Sequence, residues 1–173
     1  MSRSELEVLY SREKISERVD ELAEAVSNDF MGKAPLLLCV LKGAVVFMAD
    51  LMRSLRVGVE VDFISASSYI ETHSSGSVEI SPVFSLDVRG KDILIIEDII
   101  DTGLTYKALV EYLSAREPAS LSLCVLLDKP SSRRGETVQP DYVGFTIPDK
   151  FVVGYGLDYD GKYRELPDIC VLA

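Results

Sequence analysis

Between Ser11 and Met31 the apolar residues Ile15, Val19, Leu22, Ala23, Val26 and Phe30 recur at a 3.6-residue period. That pattern predicts an amphipathic helix. Ser11 is a candidate N-cap, and Gly32 stands where such a helix ends. Leu36 to Leu41 is wholly apolar, which suits a short strand covered on both faces. A second helix is predicted over 44–55 and a strand over 57–64. Asp92 to Ile96 and Ser120 to Leu127 read as buried strands, with a helix from near Thr105 to near Ala115 between them. Shorter strands are expected at Tyr142 to Ile147, Phe151 to Val153 and Ile169 to Leu172. Strands alternating with helices predict an α/β fold with a mainly parallel sheet flanked by helices. No repeat, low-complexity tract or linker divides the chain, so a single domain is expected over 1–173. Ligands of such sheets bind beyond the carboxyl ends of the strands. The places to search therefore follow Leu41, Ile96 and Leu127.

One stretch breaks the periodicity. Residues 65–77 hold six serines, one histidine and one glycine. A structureless segment of that length in a compact domain is either a functional lid or a tolerated surface insertion. Tyr69 favours the lid, because a large aromatic in a serine-rich loop needs something to pack on.

With 173 residues and 47% hydrophobic content, the chain has material for one core. Eighteen basic residues against 28 acidic ones give a net charge of −10. Such a surface repels a phosphate backbone and an anionic bilayer face, so neither a nucleic acid nor a membrane is expected as partner. A small anionic substrate stays compatible, since a local loop and a few cations outweigh a distant net charge. Cys39, Cys124 and Cys170 make no metal-binding spacing. The first two lie in apolar runs and read as buried free thiols. An odd cysteine count and an N-terminus without an apolar core suit a cytoplasmic protein.

Each of the three strand ends carries unusual residues. Lys42-Gly43 follows the first and Asp128-Lys129-Pro130 the last. The middle one carries Glu97-Asp98, then Asp101-Thr102-Gly103-Leu104-Thr105. A strand, a Thr-Gly-Leu-Thr loop and a helix start make an anion site: free N–H groups point outward, the glycine admits close approach, and the threonines add hydroxyls. The loop lacks the lysine and spacing of a triphosphate loop and the glycines of a dinucleotide loop. It suits a terminal phosphate. On its own it also reads as a capped helix, with Thr102 or Thr105 as N-cap. The acids change that weighting. Carboxylates crowded at a strand end are costly unless a cation or hydroxyl groups compensate. A phosphate beside paired carboxylates suggests a phosphorylated sugar, and Mg²⁺ fits the same oxygen ligands.

Ile96 to Thr105 resembles the 5-phosphoribosyl-1-pyrophosphate signature of the type I phosphoribosyltransferases. Leu41-Lys42-Gly43 resembles the pyrophosphate loop of their hypoxanthine-guanine branch, and Ser68-Tyr69 its closing loop. Lys129, the run from Ile147 to Asp158, and Tyr163-Arg164 resemble its purine- and metal-binding segments. The similarity spans nearly the whole chain in order.

The resemblance implies the type I phosphoribosyltransferase fold, with a small hood built from the chain termini and a purine site from about 147–173. It implies transfer of a phosphoribosyl group to a 6-oxopurine, with Mg²⁺ as cofactor. Thr102, Gly103, Leu104 and Thr105 would hold the 5-phosphate, and Glu97 and Asp98 the ribose hydroxyls. Asp101 would face the purine N7. Lys129, Phe151 and Val152 would bind the base. Lys42, Gly43 and Arg164 would bind pyrophosphate, and the bond entering Lys42 can be cis in this family. Glu97, Asp98 and Asp158 would serve the metal, and Ser68 and Tyr69 the lid. A homodimer or homotetramer is expected. Ile70 and Cys170 depart from the family pattern, away from the implied chemistry.

Without the resemblance, Lys129 reads as a surface lysine, Phe151 as a core residue and Arg164 as one half of a solvated ion pair. His73, the only histidine, matches no family position, which leaves a Ser-His-Asp or Cys-His mechanism unsupported. A response-regulator receiver also combines paired acids with a late Lys-Pro, but its phosphoacceptor belongs on a different strand from the acid pair. Here Asp101 follows Asp98 by three residues. An RNA-binding regulator on the same fold is disfavoured by the net charge of −10. Adenine, orotate and uracil transferases lack the pattern at Lys129 and Ile147 to Asp158.

Overall fold

The computed structural model describes residues 6–68, 78–83, 87–133 and 138–172. In chain order they form β1 (Glu7–Tyr10), α1 (Arg12–Asp29), β2 (Leu36–Leu41), α2 (Val45–Ser54), β3 (Glu60–Ser68), β4 (Val78–Pro82), β5 (Asp92–Ile100), α3 (Leu104–Ser114), β6 (Ser120–Asp128), β7 (Tyr142–Thr146), β8 (Val152–Val153) and β9 (Ile169–Val171). Six strands make one sheet in the order β4-β3-β2-β5-β6-β7. All its neighbours are parallel except β4, which pairs antiparallel with β3 at one edge.

The apolar strands β2, β5 and β6 are buried because helices cover both faces. Side chains alternate between those faces. Leu37, Cys39, Leu94, Ile96, Cys124 and Leu126 pack with Val19, Val26, Phe47 and Leu51 of α1 and α2. Leu36, Leu38, Ile93, Ile95, Leu123 and Val125 pack with Leu109 and Leu113 of α3. Ser11 caps α1 by accepting from the Lys14 N–H at 3.4 Å. Ser27, buried inside α1, donates to the Ala23 carbonyl and accepts from the Arg56 N–H, tying α1 to the approach to β3. All three cysteines are buried and unpaired.

A second, three-stranded sheet joins the ends of the chain in the order β1-β9-β8. This is the hood. It packs Val153, Leu166 and Cys170 together and is fastened to the main sheet by Tyr10 stacked on Phe145, with ring centroids 4.0 Å apart. The Arg12 N–H donates to Asp168 across it at 2.8 Å.

Three sequence expectations need correction. The strand expected over 57–64 starts at Glu60 and runs to Ser68, so the loop expected from 65 begins later. Its last residues gain backbone partners in β4, where Ser68 pairs with Val78. The strand expected to stop at Ile96 continues to Ile100, so Glu97 and Asp98 lie on the strand itself. β1 and β4 had no counterpart in the apolar pattern. Among the described residues, no helix is long and apolar enough to cross a membrane.

Candidate active site

The chain leaves β2 through α2 on one face of the sheet towards β3, and leaves β5 through α3 on the other face towards β6. The strand order therefore reverses between β2 and β5. At such a switch point the connections diverge and leave a crevice beyond the strand ends. The described site candidates on the loops after β2, β5 and β6 lie around it.

On the β2 side the Leu41–Lys42 peptide is cis, and Gly43 follows. A Cβ at Gly43 would lie 1.6 Å from the Asp98 carboxylate, so a larger residue here would force that acid to move. Gly156 packs closely behind it: a Cβ there would sit 2.2 Å from the Gly43 carbonyl oxygen. Arg164 donates to the Gly156 carbonyl at 2.5 Å. Lys42, Gly43 and Arg164 thus share one corner.

On the β5 side, Glu97 and Asp98 are half-buried. Glu97 Oε2 is buried and has no hydrogen-bond partner among the described residues. Burial, and then the neighbouring Asp98, push the Glu97 carboxyl well above its ordinary range. Burial also raises Asp98, to about 6, against the pull of backbone N–H groups and Arg164. Cys39 lies close enough that burial and these two acids push its thiol up to about 12. A buried carboxylate oxygen without a donor is a place for a cation or a ligand hydroxyl. Asp158 lines the same cleft as Asp98 but is engaged, ion-paired to Arg164 at 2.6 Å and accepting from the Gly161 N–H at 2.9 Å. No compact group of three metal-binding side chains exists among the described residues.

The Asp98 shift sets a sign for stability. The folded state holds this proton more tightly than the unfolded chain between the ordinary value of 3.8 and about 6. Stability from this group is therefore lost as pH rises through that window and stays lower above it. Asp98→Asn removes the cost and is expected to raise the melting midpoint at neutral pH, without divalent cations, by about 3 °C. The gain should vanish in mildly acidic buffer. A midpoint that does not rise at neutral pH contradicts it.

Beyond β5 the chain enters the Thr102-Gly103-Leu104-Thr105 loop. Gly103 has φ +83° and occupies the N-cap position of α3. Neither Thr102 nor Thr105 is the N-cap residue, although Thr102 Oγ1 accepts a long bond from the Leu104 N–H of the first turn at 3.4 Å. Glu97, Asp101, Thr102, Gly103, Thr105 and Tyr106 line a cleft of about 230 Å³. A neighbouring cleft of about 210 Å³ is lined by Asp98, Asp101, Lys129, Phe151, Val152 and Asp158. Asp101 and Ile99 belong to both.

Lys129 follows β6 and is buried, at 6% exposure. Its ammonium lies 2.9 Å from Asp149 and 3.7 Å from Asp101. Phe151 is 53% exposed. Both findings reverse the readings these residues carry on pattern alone. A core phenylalanine would be covered, and a surface lysine would not be buried between two acids.

Residues 6–160 match the phosphoribosyl transferase domain family. The chain belongs to that family. It is 49% identical over 166 residues to the hypoxanthine-guanine phosphoribosyltransferase of Bacillus subtilis, covering 95% of this chain and 92% of that one. It is 42% identical to the hypoxanthine-guanine-xanthine phosphoribosyltransferase of Tritrichomonas foetus, covering 95% and 90%. Among solved structures it resembles a hypoxanthine-guanine phosphoribosyltransferase from Bacillus anthracis with a TM-score of 0.91 at 43% identity, covering 96% and 98% of the two chains. The fold is that of the type I phosphoribosyltransferases.

In this phosphoribosyltransferase the lid expectation falls mostly outside the described residues. Ser68 ends β3, and Tyr69 is not described. Sequence reasoning also missed several residues around the clefts. Asp149 holds Lys129, and Tyr106 lines the cleft beside the threonines. Val138 closes over Gly103, where a Cβ would lie 2.7 Å from its methyl group. Arg133 pairs with buried Asp128 and donates to the Val138 carbonyl, anchoring that cover to the end of β6. The Pro-Asp-Lys run at 148–150 was the available signal for Asp149. The arginine carried none. A further groove of about 490 Å³ between α1, α2 and 164–167 shares no lining residue with these clefts, and its arginines Arg12, Arg53 and Arg164 are each paired with an acid.

Proposed function

We propose that the chain transfers the phosphoribosyl group of 5-phosphoribosyl-1-pyrophosphate to N9 of a 6-oxopurine, hypoxanthine or guanine, and releases pyrophosphate. One observation carries this reading: Asp101 lies on the wall shared by the glycine-threonine cleft and the Lys129–Phe151 cleft. A sugar phosphate in the first and a flat base in the second would meet beside it.

The N–H groups and hydroxyls of Thr102, Gly103, Leu104 and Thr105 hold the 5-phosphate. Glu97 and Asp98 accept from the ribose hydroxyls, which satisfies the orphaned Glu97 oxygen. Lys42, Gly43 and Arg164 hold pyrophosphate. As the C1–O bond breaks, its electron pair leaves on pyrophosphate and positive charge grows on C1 and O4. The fixed carboxylates favour that charge. The N9 lone pair then forms the C1–N9 bond, and Asp101 accepts the N7 proton that becomes acidic.

Phe151 stacks on the purine, and the Val152 backbone meets its edge. Lys129 donates to the C6 oxygen. Adenine presents an amine there, so donor would face donor. Glu97, Asp98 and Asp158 are the residues suited to Mg²⁺, which when bound would neutralise the leaving group. Asp158 would exchange part of its Arg164 pair for it. Ser68 and Tyr69 act as the lid that excludes water. The three unpaired thiols support a cytoplasmic setting. Val45 and Met52, exposed on α2, support assembly into a homodimer or homotetramer.

Pyrophosphate release, measured with Mg²⁺ and each base separately, tests this. Turnover with hypoxanthine or guanine and none with adenine or uracil is expected, and xanthine completes the ranking at C2. Turnover with adenine contradicts the Lys129 role.

A further inference from the structure

We infer that Tyr159 is a positioning residue for the base, acting by holding the Phe151 ring in the plane that stacks on the purine. This rests on the base-site reading above. Phe151 stands at the mouth of its cleft with 53% of its surface exposed. An exposed phenylalanine turns freely about its side-chain bonds, and a stacking platform has to be flat to the base before the base arrives. Tyr159 meets it edge to face, with ring centroids 5.6 Å apart and planes at 86°. That is a favoured aromatic geometry. Tyr159 does not line the cleft. It therefore contacts the ring and leaves the base surface open.

The rings are held from both sides of the contact. Tyr159 exchanges backbone hydrogen bonds with Lys162 at 3.1 Å in each direction, closing a tight turn through Asp160 and Gly161, both at positive φ. The Gly161 N–H of the same turn donates to Asp158 at 2.9 Å. The Phe151 carbonyl accepts from the Leu172 N–H at 2.9 Å. Two anchored backbones thus present two half-exposed rings to one another. Ordering the Phe151 ring in advance spares that cost when the base binds. The contact uses the ring, and the Tyr159 hydroxyl has no hydrogen-bond partner among the described residues, so phenylalanine should serve in its place.

Steady-state kinetics of Tyr159→Ala, Tyr159→Phe, Phe151→Ala and the double variant Phe151→Ala/Tyr159→Ala test this. Tyr159→Ala should raise KM for the 6-oxopurine about fivefold, with kcat and KM for the sugar pyrophosphate within about twofold. Tyr159→Phe should restore the wild-type value. In the Phe151→Ala background, Tyr159→Ala should add nothing. An unchanged base KM in Tyr159→Ala, an equal defect in Tyr159→Phe, or an undiminished effect without Phe151 overturns the inference and leaves the base site standing. An unchanged base KM in Phe151→Ala overturns the stacking reading itself, and the role of Tyr159 falls with it.

Discussion

Asp101→Asn is expected to lower kcat for hypoxanthine by about 10²–10⁴-fold, the usual weight of a positioned proton acceptor. The asparagine keeps the shape and loses the base. Asp101 is exposed along half of its side chain, and its charge partner among the described residues is Lys129 at 3.7 Å. The fold should therefore tolerate the change, and the melting midpoint should stay near wild type. KM for the sugar pyrophosphate should also hold, because the threonine loop and the Glu97–Asp98 pair are untouched. A kcat within a few-fold of wild type would remove Asp101 from the proton path.

Lys129→Ala carries the second large effect. The ammonium is nine-tenths buried and lies between Asp149 and Asp101. A charged donor to a ligand oxygen contributes about 1.5–3 kcal/mol, and its removal should cost about 100-fold in kcat/KM for 6-oxopurines. Discrimination against adenine should shrink by a similar factor, because the donor that opposes the exocyclic amine is gone. The variant also leaves two carboxylates facing each other without their cation. Lys129→Gln, which keeps a neutral donor, separates the two effects. Adenine turned over no better by Lys129→Ala than by wild type would assign selectivity elsewhere.

The mainly parallel sheet and the strand ends that carry the site were legible because β2, β5 and β6 are covered on both faces and so read as unbroken apolar runs. The boundaries that failed did so for physical reasons. β5 runs on to Ile100, yet Glu97 and Asp98 look like a strand end, because carboxylates on a buried strand are rare outside sites that use them. β3 runs on to Ser68 because β4 supplies backbone partners, while its serines read as loop. β1 was invisible: its four residues gain their partners from β9 at the other end of the chain, where Glu7 pairs with Val171.

Among the site residues, the signature from Glu97 to Thr105 was readable as chemistry, since acids, a glycine and threonines between a strand and a helix have few structural uses. Lys129 and Phe151 were readable through resemblance alone. A single lysine before a proline and a single phenylalanine before two valines carry no periodic signal, and tertiary packing decides that the first is buried and the second exposed. Tyr159 and Arg133 act by packing on Phe151 and pairing with Asp128, side-chain contacts that no spacing rule encodes.

The most direct test of the central claim is to identify the products formed from 5-phosphoribosyl-1-pyrophosphate, Mg²⁺ and hypoxanthine by chromatography and mass. The predicted result is one N9-linked nucleoside monophosphate for each pyrophosphate released, with no release when the base is omitted. Pyrophosphate released without a base, or a folded protein that binds the sugar pyrophosphate and forms no nucleotide, would contradict it.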